Sequence, residues 1–375
     1  MFLRTIQKRA LAMFRVRPSS RTLSTYRPRQ EGIVDLRSDT VTAPTRSMLE
    51  CALHAKTGDD VYEEDPSVQE LEAFAADLFG KEKALYLPTC TMANLVAILS
   101  HCHGRASEMI VGSNSHICLY EGGNAANLGG VSSMQIKEDE HSATLSFQDI
   151  RNAFRSDDDD HYAKTSLICI ENTHNMMGGV AVSREYVDDL GHLARKELKV
   201  PLHIDGARIF NSSIAQGTPV SQLCAGADSV AICMSKGLGA PLGSILVGET
   251  EFVRLAKRAR KRCGGGMRQA GVVASMAMYA LENNVERLAQ DHALAKRLSV
   301  ELVSNGFRLP RNGEVDTNIV YFGLPAHSLS DAETLERRLF REYGVKIAGG
   351  YKRDGFDGVE FFRLVTHMDV EEECI

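Results

Sequence analysis

Three stretches of the chain place a group capable of chemistry where an apolar run gives out. In PLHIDGARIF (201–210) Asp205 closes the run and Arg208 follows three residues later. In SVAICMSKGLGAPLGS (229–244) Lys236 stands between an apolar run and a glycine-rich turn. In ALYLPTCTMANLVAILS (84–100) the turn Pro88-Thr89-Cys90-Thr91 joins an apolar run to a helical pattern made by Met92, Leu95, Val96 and Leu99. An isolated charge at the end of a buried strand is costly, so such groups usually have a partner, often a ligand.

Each type of group suits one task. A strand-end lysine can condense with a carbonyl to form a Schiff base. A helix N-terminus offers unpaired amides and a positive dipole end to a phosphate. A carboxylate held against a pyridine nitrogen keeps it protonated, so that the ring accepts electrons from a carbanion. Taken singly, each has a plainer reading: a surface lysine opening a loop, a threonine N-cap, a paired core acid. Together and in this order, they describe a site for pyridoxal 5′-phosphate (PLP).

The elements that must position these groups are legible as short apolar runs at 84–87, 108–112, 166–172, 201–205, 229–235 and 244–248. Helical patterns lie between many of them, such as REYVDDLGHLARKEL (184–198). Strands alternating with helices predict an α/β domain with a mainly parallel sheet, whose ligands gather at the carboxyl ends of its strands. A helical stretch starts near Met267 and, with a break around 282–284, runs to about Ser304. Beyond it the texture changes to a strand at 318–324, a charged helix at 331–344 and a last strand at 359–367. The expected organisation is a PLP-binding large domain over 31–285, N-terminal segment included, and a smaller α+β domain over 286–375.

Composition bounds the rest. The chain has 375 residues, 43% hydrophobic and 25% charged, as expected of a globular protein with a sizeable core. A net charge of -6 argues against a nucleic-acid partner. No apolar run approaches the roughly 18 residues that span a bilayer. Nine scattered cysteines, never spaced C-x-x-C, oppose a disulfide framework or a structural zinc site. Residues 1–30 carry eight Arg or Lys and no acid; subtracting those eight from -6 leaves -14 on the remainder. Such an acid-free, Arg- and Ser-rich amphipathic start predicts a mitochondrial transit peptide and a matrix location. If it is only a basic tail, the expected location is cytoplasmic.

The sequence resembles the threonine aldolases, a family in the fold-type I (aspartate aminotransferase-like) class of PLP enzymes. The resemblance runs from about Val34 to about Val370. It rests on DLRSDTVT (35–42), GDDVYEEDPSV (58–68), ENTHN (171–175), HIDGARIFN (203–211), SKGLGAPLGS (235–244) and GGGMRQAG (264–271). It implies that Lys236 is the PLP lysine, Asp205 the partner of the ring nitrogen, and His116 the residue stacked on the ring. By the same resemblance Ser38, Arg208 and Arg363 hold the substrate carboxylate, with Arg208 also near the cofactor. The amides of Cys90 and Thr91 take the phosphate, and Lys261 and Arg268 reach a phosphate that can belong to a neighbouring subunit. His161 aligns with a histidine near the substrate hydroxyl. Cys90 departs from the glycine usual in this loop.

The implied activity is reversible cleavage of L-threonine or L-allo-threonine to glycine and acetaldehyde, with PLP as sole cofactor and no metal. The base that takes the β-hydroxyl proton is His116, His161 or a bound water. The rival reading is another PLP reaction on a small amino acid: racemisation, transamination or β-elimination. A non-catalytic scaffold is disfavoured by the joint presence of Lys236, Asp205 and His116. A cofactor-free barrel aldolase is disfavoured by the lack of an eightfold strand-helix rhythm. The family resemblance further implies a homotetramer built from dimers.

Overall fold

A computed structural model of the chain describes residues 32–325, 332–351 and 359–372. The segment read as an import signal, and residue 331 of the expected charged helix, lie outside them. The strands are β1 Val34–Asp35, β2 Lys83–Leu87, β3 Ser107–Gly112, β4 Ser132–Ile136, β5 Lys164–Glu171, β6 Leu202–Asp205, β7 Ser229–Cys233, β8 Ser244–Gly248, β9 Ile319–Pro325, β10 Val345–Lys346, β11 Ala348–Tyr351 and β12 Val359–Val365.

Seven of them form the central sheet, in the order β2-β8-β7-β6-β5-β3-β4. Strands β3, β6, β7 and β8 are buried at every position, as continuous apolar runs are when helices cover both faces of a sheet. Side chains alternate between those faces. Along β2, Ala84 and Tyr86 join the core beneath helices Pro66–Phe79, Arg184–His192 and Gly271–Asn283, whereas Leu85 and Leu87 join that beneath Cys90–His101 and Thr250–Arg262. The sheet is mainly parallel, as expected, but the run at 244–248 is a correction: β8 lies antiparallel to both β2 and β7. β4 was not foreseen. It is a half-exposed edge strand of sequence SSMQI, too polar to stand out as an apolar run.

Register brings the chemistry to one edge. Asp205 of β6 pairs with Glu171 of β5 and Ala231 of β7, and Ser244, the first residue of β8, faces both Cys233 and Leu87. The turns after β2, β6 and β7 therefore share an end of the sheet. The turn carrying Lys236 needs its glycines, since Gly239 and Gly243 adopt φ of +77° and +114°.

The smaller unit is an antiparallel sheet, β11-β12-β9, with helix Ala332–Tyr343 against it. The start of the N-terminal segment reaches into this smaller unit, while Met48 further on lies in the large core. β1 pairs in parallel with β10, and Val34 and Leu36 are buried with Leu302, Phe322, Leu339 and Phe362 in the core of the smaller unit. The joint near 285 is not a linker. Helix Leu288–Ser304 gives Leu288 to the large core and Ala295, Leu298 and Leu302 to the small one.

Candidate active site

Lys236 leaves the end of β7 half-buried, and its amine has no hydrogen-bond or ion-pair partner among the described residues. Asp205, 1% exposed, faces the same edge. Its Oδ2 accepts from Asn94 Nδ2 at 2.9 Å and its Oδ1 from the Ala207 amide at 3.1 Å, and no cation bonds it. A buried carboxylate served only by neutral donors has capacity left for one more.

The phosphate turn is built by capping. Thr89 takes an extended conformation as N-cap of helix Cys90–His101, and its Oγ1 accepts from the Met92 amide at 3.2 Å. The amides of Cys90 and Thr91, in the first turn, find no protein acceptor among the described residues, which is what an anion seat requires. Cys90 is helical and absent from the positive-φ residues, so this turn has no need of a glycine there. Interaction of its thiol with that of neighbouring Cys233, against the cost of burial and with help from Lys236, lowers Cys233 below the ordinary thiol value and raises Cys90.

His116 starts the short helix His116–Leu119, its amide donating to Glu171 Oε2 at 2.6 Å. Its Nδ1 lies 3.1 Å from Glu121 Oε1. Burial alone would push the imidazole down, but the Glu121 bond and nearby Asp205 outweigh it and raise its pKa. Glu121, deeply buried, is raised above the ordinary carboxyl value by desolvation, though His116 and Asn94 resist this. His116, Glu121 and Asp205 each turn one ligand atom to within 4.8 Å of the others. The Asn94 NH2 group donates to both acids.

Arg363, on β12, is tied to the same group of residues. Its Nη1 donates to Asn175 Oδ1 at 2.9 Å and its Nη2 to the Arg37 carbonyl at 3.0 Å, while its buried Nε has no partner. Asn175 in turn donates its amide to Glu171 Oε1 at 2.8 Å. Ser38 caps the turn Asp39–Val41, its Oγ accepting from the Thr40 amide at 3.2 Å.

Both donors on one edge of the Arg208 guanidinium go to Asp39, Nε to Oδ2 at 2.8 Å and Nη2 to Oδ1 at 2.6 Å. Arg208 thereby braces the turn that carries Ser38, while Asp39 leaves the other edge of the guanidinium unused.

Three expected residues are not brought to this cluster. His161 precedes β5, at the opposite end of the sheet, with its ring 90% exposed and bonded to Asp159 at 2.7 Å. Arg268 pairs with Asp59 at 2.7 Å on an exposed loop. Lys261 ends helix Thr250–Arg262 beside Gly266 and Val61, on a basic face shared with Arg254, Lys257 and Arg258. The residues that sequence reasoning missed are Asn94, Glu121, Glu171, Asn175 and Asp39. Asp39 adjoins Ser38, Glu171 and Asn175 bound the stretch ENTHN, and Glu121 follows His116 in the run HICLYEGG, so these four sat close enough to a named feature to be suspected.

An unpartnered amine, a carboxylate with room for a ring N–H, and two free helix-terminal amides along one sheet edge fit pyridoxal 5′-phosphate. Lys236 Nζ would hold its aldehyde carbon, Asp205 its ring nitrogen and Cys90 and Thr91 its phosphate.

Comparison with known proteins agrees. Residues 35–324 match the beta-eliminating lyase family. Low-specificity L-threonine aldolase 1 of Arabidopsis thaliana is 44% identical over 339 residues, 90% of this chain and 92% of that protein. Low specificity L-threonine aldolase of Escherichia coli O157:H7 is 42% identical over 343 residues, 91% of this chain and 96% of that one. The solved structure of Leishmania major threonine aldolase superposes with a TM-score of 0.75 at 18% identity, covering 91% of this chain and 96% of that one. The shared architecture is that of the fold-type I PLP enzymes. By sequence along nine-tenths of its length, the chain belongs to the low-specificity L-threonine aldolase family, within the beta-eliminating lyases.

Proposed function

We propose that this chain is a PLP-dependent aldolase that reversibly splits L-threonine and L-allo-threonine into glycine and acetaldehyde. One observation carries the reading: the free Lys236 amine, the Asp205 carboxylate and the open amides of Cys90 and Thr91 share one sheet edge in a chain of this family. Bound there, the cofactor supplies an electron sink for the pair left on Cα when the Cα–Cβ bond parts.

The chain's own residues select which bond parts. Arg363, whose Nη1 and Nη2 each keep a second N–H beyond the bonds to Asn175 and the Arg37 carbonyl, and Ser38 hold the substrate carboxylate. The amino acid is thereby turned so that Cα–Cβ, rather than Cα–H, stands perpendicular to the ring. His116 takes the β-hydroxyl proton on Nε2, which has no protein partner among the described residues, while Nδ1–H donates to Glu121. Glu121 then stabilises the imidazolium that results, the role an orienting acid plays behind any histidine base. Incubation with L-threonine should yield acetaldehyde and glycine in equal amounts. Pyruvate or 2-oxobutyrate without acetaldehyde would overturn the proposal in favour of elimination or transamination.

Assembly into a homotetramer is part of the same reading. It is supported by the exposure of Leu53, Tyr62 and Leu128 and by the basic face around Lys261, which suits a phosphate held in a neighbouring subunit. Light scattering on the purified protein tests it, a monomer being the refuting result. Import into the mitochondrial matrix is supported by the basic, acid-free residues 1–30, and cell fractionation of the full chain against one lacking them tests it. Among the described residues no helix is long and apolar enough to cross a membrane.

A further inference from the structure

Asn94 is wholly buried on helix Cys90–His101, with Nδ2 2.8 Å from Glu121 Oε1 and 2.9 Å from Asp205 Oδ2. An amide oxygen facing two carboxylates would be repelled, so the NH2 end must point at the acids. Oδ1 then faces His203 Nε2 at 3.2 Å, and that nitrogen must carry the proton. Burial pushes His203 down to about 4, although Asp205 and Ser229 act against it, so the ring is neutral at pH 7 and Nδ1 is an acceptor. Ser229 Oγ, 2.9 Å away, must donate to Nδ1. With its hydrogen spent, Oγ accepts from His101 Nε2 at 2.8 Å. Every direction in this chain follows from the one before it.

We infer that His101, Ser229, His203 and Asn94 form a one-way chain of hydrogen bonds, all donating toward the pocket, that aims the Asp205 carboxylate at the ring nitrogen of bound PLP. His203 and Ser229 are thus positioning residues for the reaction, acting through Asn94. The inference rests on reading Asp205 as the ring-nitrogen partner. Its physical basis is that donors aligned head to tail polarise one another, and that hydrogen bonds to a carboxylate favour its charged form. The register supports it, because His203 and Ser229 are direct neighbours across β6 and β7 and need no loop to hold them together. Asn94, His203 and Ser229 are each 0% exposed, so no water replaces a lost link.

The test compares H203M, which cannot donate to Asn94, with H203Q, whose amide can, and with S229A, which deletes one oxygen. Apoenzyme of each is titrated with PLP, and the visible spectrum of the loaded protein is recorded. H203M should bind PLP about 10-fold more weakly, with a displaced absorbance band and a fall in kcat larger than any change in KM. H203Q should recover affinity to within about 3-fold and restore the band. If H203M proves wild-type in affinity and spectrum, or H203Q is as impaired as H203M, the inference is overturned. Should H203M not fold, S229A decides alone, with weaker PLP binding supporting the chain and unchanged binding and spectrum refuting it. Borohydride trapping of PLP on Lys236 in the wild type separates the two levels: no adduct there means the cofactor reading itself has failed.

Discussion

Arg208 and Asp39 lie 169 residues apart in sequence and meet in a two-bonded, fully buried ion pair. Burial alone would raise the Asp39 carboxyl, but the charge and hydrogen bonds of Arg208, with Lys236 and Asn318, hold it well below the usual carboxylate range. Removing one partner strands the other as a buried charge. Asp39→Asn should therefore cost about 3–5 kcal/mol in urea unfolding, and the turn bearing Ser38 should loosen. Since the folded carboxyl is depressed, the pair's contribution is complete above the unfolded value near ~3.9 and declines as pH falls below it. A variant as stable as wild type at pH 7 would show that the pair is not what braces this turn.

Lys236→Ala should abolish both the visible absorbance of the PLP-loaded protein and acetaldehyde production, while circular dichroism stays native. The amine makes no structural bond that the fold would miss. Turnover at wild-type rate in this variant would remove Lys236 from the chemistry.

Glu121→Gln replaces the acid behind His116 with a neutral amide. Because Glu121 is what lifts the imidazole against burial, His116 should titrate lower in the variant. kcat should fall on the order of 10²-fold, with KM within a few-fold, since the loss is confined to proton transfer. A loss confined to KM would point instead to a substrate-binding role for the pair.

Glu72 offers a test of pH linkage away from the site. Desolvation raises its carboxyl to about 7, against the Tyr86 amide that donates to it at 2.7 Å. A raised acid binds its proton more tightly when folded, so its penalty grows as pH climbs from about 4.5 toward 7. Glu72→Gln should match wild type in urea unfolding near pH 5 and exceed it at pH 8. Equal midpoints at both values would mean that Glu72 is solvated in the native protein.

Cys90→Gly should keep PLP affinity within about 3-fold, because Cys90 already takes helical backbone angles and gives the phosphate only its amide. The same change deprives Cys233 of the Cys90 thiol whose interaction lowers it. Alkylation of Cys233 in the apoenzyme at neutral pH should then slow several-fold. An unaltered rate would leave Lys236 as the group activating this thiol.

What could be read from sequence followed from how the signals are written. Asp205, Lys236 and the Cys90–Thr91 turn were legible because each ends a continuous apolar run, and such runs in an α/β chain point to one ligand-binding edge. An apolar run has no direction, so the reversal of β8 was not legible. Nor was the capture of Val34 and Leu36 by the smaller unit, since two short strands far apart in sequence carry no mark of pairing. Asn94 fell on an amphipathic helix and passed for an ordinary polar position, although its partner Asp205 lies 111 residues away. His161 shows the opposite case: the family resemblance named it, and the strand that follows it begins at the far end of the sheet.

The edge strand β2 is fastened to the sheet by β8 alone, and the Gly243 amide also holds the Pro88 carbonyl at 3.1 Å. During synthesis, residues 83–91 leave the ribosome long before residues 243–248 exist to receive them. Until that later hairpin partner emerges, the anion seat has no frame. A nascent polypeptide cut short before residue 244 would carry Lys236 and Asp205 yet be unable to retain the vitamin's phosphate, which makes cofactor loading a late step in the biogenesis of the protein.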